Sequence, residues 1–466
     1  MLPRRHGLLL AAVFAICLST MAIAAEKSTD PLRDAVAQVY ELRGHERLWF
    51  VGGRLTPAGR STVEELRRAE ARGLDPQDYE SARLAASIAA LDARPFAESA
   101  AIDALDFSLS LAAAQLGADL HSGRVNPRDV GYELDVPQAK LDVGGMLTEL
   151  ATSANVAASL DALEPPFRHY RLLKETLAQY REVATAQGSA RSAILDQQIQ
   201  KIMLTLERVR WLPAKLDAPP IIVNIPQFKL FAFRTTDDFA QEILQMDVIV
   251  GAAFQERETP VFAADMRYVV LRPYWDVPVS IMRREYLKPM RANPRWVDDH
   301  GYEIVKGQTD AAAVMPATAE NIELLAQGAL RLRQKPGPHN ALGLVKFIFP
   351  NRHNVYLHDT PAQSLFKLSR RAFSHGCIRV SEPLDLLAHV MRDDPDWTPE
   401  RIEAALKTGK TMRIPLKKTI RVYIIYGTAM TTEAGPTLFF DDIYHHDARL
   451  QAALGKRSAR LASLRP

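Results

Sequence analysis

The spacing of apolar residues changes once along this chain, at Pro219-Pro220, and the change decides what can fold on either side. Before it, Leu195, Ile199, Ile202, Leu206 and Val209 recur three and four apart, which is one face of a helix. Val36, Val39, Tyr40 and Leu42 begin another such face, and the Ala-rich stretch 100–120 reads as a buried helix, since alanine lets neighbouring helices approach closely. Gly73-Leu74-Asp75-Pro76 stops one helix and starts the next. After Pro219 the apolar runs become short and β-branched: Ile221-Ile222-Val223, Leu230-Phe231, Val248-Ile249-Val250 and Val269-Val270-Leu271. Proline and glycine punctuate them, as between strands. The fold class expected is therefore α+β, a mostly helical N-terminal region followed by a β-rich one.

With 466 residues, two or three folding units are expected. They are residues 30–180, helical; 181–218, a connecting helix and linker; 219–430, β-rich, with an insertion at 275–340 carrying one helix at 317–332; and 431–466, a C-terminal extension. Strands are expected to resume at 344–349 and 354–358 and to return at 419–426. Formal net charge is only +3, which argues against a nucleic-acid binder driven by phosphate electrostatics. Arg4 and Arg5, the apolar run 8–18 and Ala22-Ile23-Ala24 form a secretory signal over residues 1–25. Export to the periplasm follows, with an uncleaved inner-membrane anchor as the alternative.

Cys17 lies within that signal, so the exported chain keeps one cysteine, Cys377. A lone thiol in an oxidising compartment is exposed to oxidation and mispairing. Its surroundings suggest why it is there. Asn354-Val355-Tyr356-Leu357-His358-Asp359-Thr360-Pro361 reads as a strand with Tyr356 and His358 on one side, and Ser374-His375-Gly376-Cys377-Ile378-Arg379 follows. Gly376 lets the backbone take a positive φ beside the thiol. After it, Ser381 and Pro383 signal a helix start. A free cysteine, with a pKa of about 8.5, needs a base, and an imidazole can take its proton, hold the thiolate as an ion pair and later protonate a leaving amine. Two histidines compete for that role. His375 is two residues away in a turn, whereas His358 projects from a strand to which the chain can return Cys377, so His358 is favoured as base and His375 as a positioning group.

The order His358, then Ser374-His375-Gly376-Cys377, resembles the H-x(n)-[S/T]-H-G-C signature of YkuD-type L,D-transpeptidases. Arg210-Trp211-Leu212-Pro213, Thr259-Pro260-Val261-Phe262, Asn340-Ala341-Leu342-Gly343 and Asp441-Asp442-Ile443-Tyr444 are similar to the long, scaffold-bearing (YcbB-like) branch, here without an evident peptidoglycan-binding module. The resemblance implies a helical scaffold, a β-rich catalytic domain and a capping loop. It implies that Cys377 attacks the third residue of a tetrapeptide stem and expels D-alanine. The amine of a second stem's diaminopimelate then forms a 3→3 cross-link. By position, Cys377 is the nucleophile, His358 the acid and base, and the Asp359 carbonyl the third member of the triad. Ser374, Gly376 and Cys377 surround the oxyanion hole. Tyr356, Arg379, Asn340 and Trp275 line the donor pocket. No cofactor and no metal are implied, the partners are peptidoglycan stems, and the protein is expected to be a monomer.

Other readings stay open from sequence. The acyl-enzyme could be resolved by water, by a D-amino acid or by a lipoprotein lysine. His358, His375 and Cys377 could instead hold zinc, or the chain could be a silent wall-binding protein. Trp275 and Trp296 either stack on substrate or pack the insertion, and His445 and His446 are expected in solvent.

Overall fold

The computed structural model describes residues 30–93, 99–134, 140–236, 243–254, 257–432 and 435–463. The signal expected over residues 1–25 lies outside the described residues. The chain divides into two compact units, the first reaching His121 and taking up Lys140–Glu164, the second comprising Ser122–Ala139 and everything from Pro165 onward.

The first unit is helical. Pro31–Leu42 is capped by Asp30 and Pro57–Arg67 by Thr56, each with proline at the first position, where its missing N–H costs nothing. They pack with Ser81–Asp92, Val143–Thr152 and Val156–Asp161 around the long helix Ser99–Ser122, whose Ala112, Ala113 and Ala114 are buried. One carboxylate organises this core. Asp106, fully buried, accepts the Leu48 and Trp49 N–H groups at 3.1 and 2.8 Å and the Tyr40 hydroxyl.

In the second unit, helices Arg168–Gln187 and Ala193–Val209 pack through Tyr170, Leu173, Leu177, Ile202 and Leu206. Residues from Pro165 on, these helices included, fall in the same compact unit as the sheet. That sheet consists of β1 (Ile221–Asn224), β2 (Lys229–Ala232), β3 (Leu244–Gly251), β4 (Phe262–Leu271), β5 (Val345–Ile348), β6 (Leu357–His358), β7 (Ala372–Ser374), β8 (Ile378–Val380) and β9 (Met412–Ile425). Its order is β7-β3-β8-β6-β5-β4-β9-β1-β2, and β2 also pairs with β3, so the sheet closes on itself as a barrel. Most neighbours are antiparallel; β6–β8, β3–β7 and β1–β9 are parallel.

Between β4 and β5 the insertion forms its own four-stranded sheet, Trp275–Asp276, Arg331–Gln334, Tyr302–Lys306 and Ala313–Met315 in that order. It is covered by short helices around Met282, Met290, Val297, Ile322 and Leu325. The helix expected at 317–332 ends at Gln327, because Gly328 turns left-handed at φ 82°, and 331–334 becomes a strand. Asn354, at φ 54°, keeps 354–356 out of regular strand, so only Leu357–His358 pairs. Ser381 does not cap the helix Pro383–Met391; its hydroxyl accepts the Asp247 N–H at 3.1 Å and fastens β3 instead. Among the described residues no helix is long and apolar enough to cross a membrane.

Candidate active site

Three strands assemble the site. β5 and β6 pair Lys346 with His358, and the parallel pair β6–β8 sets His358 beside Arg379 and Leu357 beside Ile378. Partners across a sheet share a face, and alternate residues face opposite ways. Val345, Phe347, Leu357, Ile378 and Val380 therefore fill the barrel core, all fully buried. Lys346, Tyr356, His358, Cys377 and Arg379 gather on the opposite face, beneath the insertion. The Ile378 N–H donates to the Tyr356 carbonyl at 3.1 Å, which carries the register one residue beyond the strand to Tyr356 and Cys377.

His358 is buried, and its Nδ1 lies 2.5 Å from the Asp359 carbonyl oxygen. A carbonyl only accepts, so Nδ1 carries the proton and Nε2 presents a lone pair. Burial first, then the Arg379 and Lys346 cations, hold the imidazole down to about 3, against the pull of the Asp359 carbonyl. The ring is a neutral base of fixed tautomer. Burial pushes the Cys377 thiol up, while the Tyr356 N–H and hydroxyl, Lys346 and Arg379 favour its thiolate. The sulfur sits 3.7 Å from the Asn354 carbonyl oxygen. Burial thus works against the charged form of both groups, while the two cations favour the thiolate.

Tyr356 links the wall to the insertion. Its hydroxyl bonds Cys377 and Trp275, burial keeps it protonated, and Lys346 Nζ lies 3.9 Å from its ring centroid. Trp275 meets Tyr286 edge-on at 6.3 Å, while Trp296 stacks on Tyr302 and His300 and packs the insertion. Arg379 stands on the site face with its Nε buried and unpartnered.

The turn before the thiol is held from within. Ser374 Oγ donates to the Cys377 carbonyl at 2.5 Å and accepts the Gly376 N–H at 3.1 Å. That N–H is therefore spent, and the expectation that it serves an oxyanion hole is corrected. Gly376 takes φ 111°, which side chains rarely adopt. His375 is exposed and turned to Glu285 of the insertion, 2.8 Å from its Nε2. Asn340 is also corrected as a pocket residue. It is buried, its amide N–H groups serve the carbonyls of Pro273 and Lys335 at 3.1 and 3.0 Å, and its oxygen accepts Leu342 N–H. It closes the base of the insertion and has nothing left for a ligand. The Asp359 carboxylate accepts the Leu344 and Thr360 N–H groups at 2.7 and 2.6 Å. Among the described residues no three His, Cys, Asp or Glu side chains gather as a metal site.

Lys346 escaped the sequence reading, although the alternation Val345-Lys346-Phe347 already put it on the face of His358. The role of Thr259, read only as part of a motif, was missed as well: its hydroxyl donates to the Gly376 carbonyl and accepts the Gly251 N–H, both at 2.8 Å. Tyr444 backs it, donating to the Gly251 carbonyl at 2.6 Å. His446, expected in solvent, is buried, stacks on Tyr426 at 4.5 Å and bonds the Tyr132 hydroxyl at 2.8 Å.

The closed sheet thus carries the cysteine and a tautomer-fixed histidine on one face of neighbouring strands, beneath the insertion. Residues 219–424 match the L,D-transpeptidase catalytic domain, YkuD, and residues 34–177 match the Scaffold domain. The chain thus carries a YkuD L,D-transpeptidase catalytic domain behind a scaffold, the arrangement of the scaffold-bearing branch of that family. It is 34% identical over 254 residues to a protein of Haemophilus influenzae provisionally named an L,D-transpeptidase. That stretch is 54% of this chain, and the chain spans about half the length of this curated relative, 49%.

Proposed function

We propose that this protein is an exported peptidoglycan L,D-transpeptidase that forms 3→3 cross-links, with Cys377 as nucleophile and His358 as base and acid. One observation carries the reading: on the sheet face that holds the lone thiol, the Asp359 carbonyl fixes His358 with its free lone pair at Nε2. As Sγ attacks the carbonyl carbon of the third stem residue, its proton passes to His358 Nε2. The new C–S bond forms, the C–N bond to the terminal D-alanine breaks, and the proton leaves on the D-alanine amine. The side-chain amine of a second stem then attacks the thioester, His358 accepts its proton, and Cys377 leaves as a thiolate that is reprotonated. With the Gly376 N–H engaged, the Cys377 N–H is the remaining backbone donor of the pair for the oxyanion. Lys346 and Arg379, both cationic and beside the sulfur, favour its negative charge and suit a stem carboxylate. Tyr356 and Trp275 form the wall between thiol and insertion.

The test uses the mature chain and a disaccharide tetrapeptide, with products followed by mass. Cross-linked dimer is expected, and Cys377→Ala should lose it by at least about a thousandfold while keeping its fold. Tripeptide alone would transfer the second step to water, and dimer formed by the Cys377→Ala variant would remove the assignment.

A further inference from the structure

Where the insertion comes down on the catalytic turn there is a small cavity of about 180 Å³, lined by Arg257, Pro278, Ser280, Ile281, Arg284 and His375. Its volume is below the ~300 Å³ at which whole-ligand sites begin, so it suits an end group rather than a peptide. Ser280, Arg284 and His375 are exposed, so it is reached from solvent. Two guanidinium groups line it and, among the described residues, no carboxylate does.

The cavity is tied to the position of the nucleophile. His375 stands two residues before Cys377, and the Arg257 carbonyl oxygen lies 3.9 Å from where a Cβ at Gly376 would be. On the insertion, Glu285 accepts the His375 Nε2–H at 2.8 Å and an Arg257 Nη2–H at 3.4 Å. The next residue, Tyr286, meets Trp275 of the thiol wall edge-on at 6.3 Å. The segment 284–286 thus runs from the cavity to the wall of the thiol cleft. Glu285 commits His375 but little of Arg257. A bond of 3.4 Å is long for a charge-assisted one, ordinarily about 2.7–2.9 Å, and the guanidinium carries further N–H donors in a fork that fits a carboxylate. The groups facing an anion here are therefore the two arginines, with the Ser280 hydroxyl beside them.

The reaction proposed above supplies a matching end group. The side-chain amine of diaminopimelate stands on a carbon that also bears a carboxylate. Lys346 and Arg379, beside the sulfur, suit the carboxylate of the donor, which leaves this second pair of cations for the other stem. We propose that Arg257 and Arg284 hold the carboxylate next to the attacking amine of the acceptor, so that the cavity selects diaminopimelate over an amine that stands alone. The inference rests on the transpeptidase reading and names the acceptor seat within it.

A competition on the mature chain tests it. A diaminopimelate tetrapeptide is the donor, and two tripeptide stems, one ending in diaminopimelate and one in lysine, compete as acceptors at equal concentration. Neither tripeptide has the D-alanine that acylation expels. Released D-alanine reports the first step, and the two cross-linked products, separated by mass, give the selectivity within one reaction. Their ratio is expected to favour diaminopimelate by about tenfold or more, to fall in Arg257→Gln, and to approach one when Arg284→Gln is added. Because the ratio is internal to one enzyme, partial loss of fold cancels from it. Glu285→Gln breaks the same contact between insertion and turn from the other side, and should keep the preference or raise it. Neither D-alanine nor dimer from the unaltered protein would remove the transpeptidase reading itself. D-alanine release without cross-linking to either tripeptide, an equal product ratio, a preference untouched by both arginine substitutions, or its loss in Glu285→Gln as in Arg257→Gln would overturn the carboxylate seat alone.

Discussion

At Cys377 the decisive quantity is the free energy of a half-buried negative charge. Desolvation holds the thiol protonated, and the two nearest cations on its sheet face, Lys346 and Arg379, work against that. Removing one of them should raise the thiol further. Lys346→Met is thus expected to slow iodoacetamide alkylation of Cys377 at pH 7 by about tenfold and to move its pH profile toward alkali. An unchanged profile would show that the lysine only packs on Tyr356. The base gives a second prediction. An imidazole near its ordinary pKa would impose an acid limb near pH 6.5, but His358 is held to about 3 and the thiol is pushed above its ordinary value. Between about pH 5 and 8 both groups stay in the form that attack requires, so kcat/KM should show no break there from either. A limb near 6.5 that vanished on replacing His358 would contradict the buried, neutral ring.

The elements explain what the sequence disclosed and what it concealed. The period-two alternation around His358 and the change of spacing at Pro219 were readable because local pattern alone determines them. The closure of the barrel through β2 and β3 was not, since pairing between distant strands leaves no mark in either strand. For the same reason His446 read as solvated: its polar neighbours are visible in sequence, whereas the rings of Tyr132 and Tyr426 that bury it are far along the chain. Thr259 shows the limit best. One hydroxyl ties the end of β3 to the turn before the nucleophile, satisfying Gly251 N–H and Gly376 C=O at once in a fully buried place. Thr259→Val keeps the shape and strands both groups, at about 1–3 kcal/mol each. Thermal melting should fall by several degrees, and kcat should fall more than KM rises, because the cysteine turn loses its tether. Thr259→Ser restores the hydroxyl and is expected to recover kcat. If serine failed where valine failed, the methyl group and not the bond would be what matters.

Across the whole molecule, charge is nearly balanced, so its response to acid depends on a few interior groups rather than on net repulsion. Four histidines of the second unit are kept neutral by burial, His169 and His389 at about 4, His358 at about 3 and His446 at about 2. Unfolded, each titrates near 6.5. Their folded values lie below that, so between about pH 6.5 and 4 the unfolded chain binds more protons than the folded one. Stability then falls as pH falls through this window, by up to ~1.4 kcal/mol per pH unit for each histidine. Glu207, held low by Arg124 and Arg210 against the cost of its burial, adds to the loss at lower pH, while Asp359 and Glu258, both pushed up by burial, oppose it. The urea midpoint of the full chain should therefore drop between pH 7.5 and pH 5. His446→Phe offers the sharper comparison, because it keeps a ring against Tyr426 while removing one titration and the bond to Tyr132. It should lower the midpoint at pH 7.5 and flatten the acid slope by roughly one proton, ~1.4 kcal/mol per pH unit. A variant that lost stability equally at both pH values would mean that His446 is already charged in the folded protein, and the ring would then have to be sharing its buried site with water.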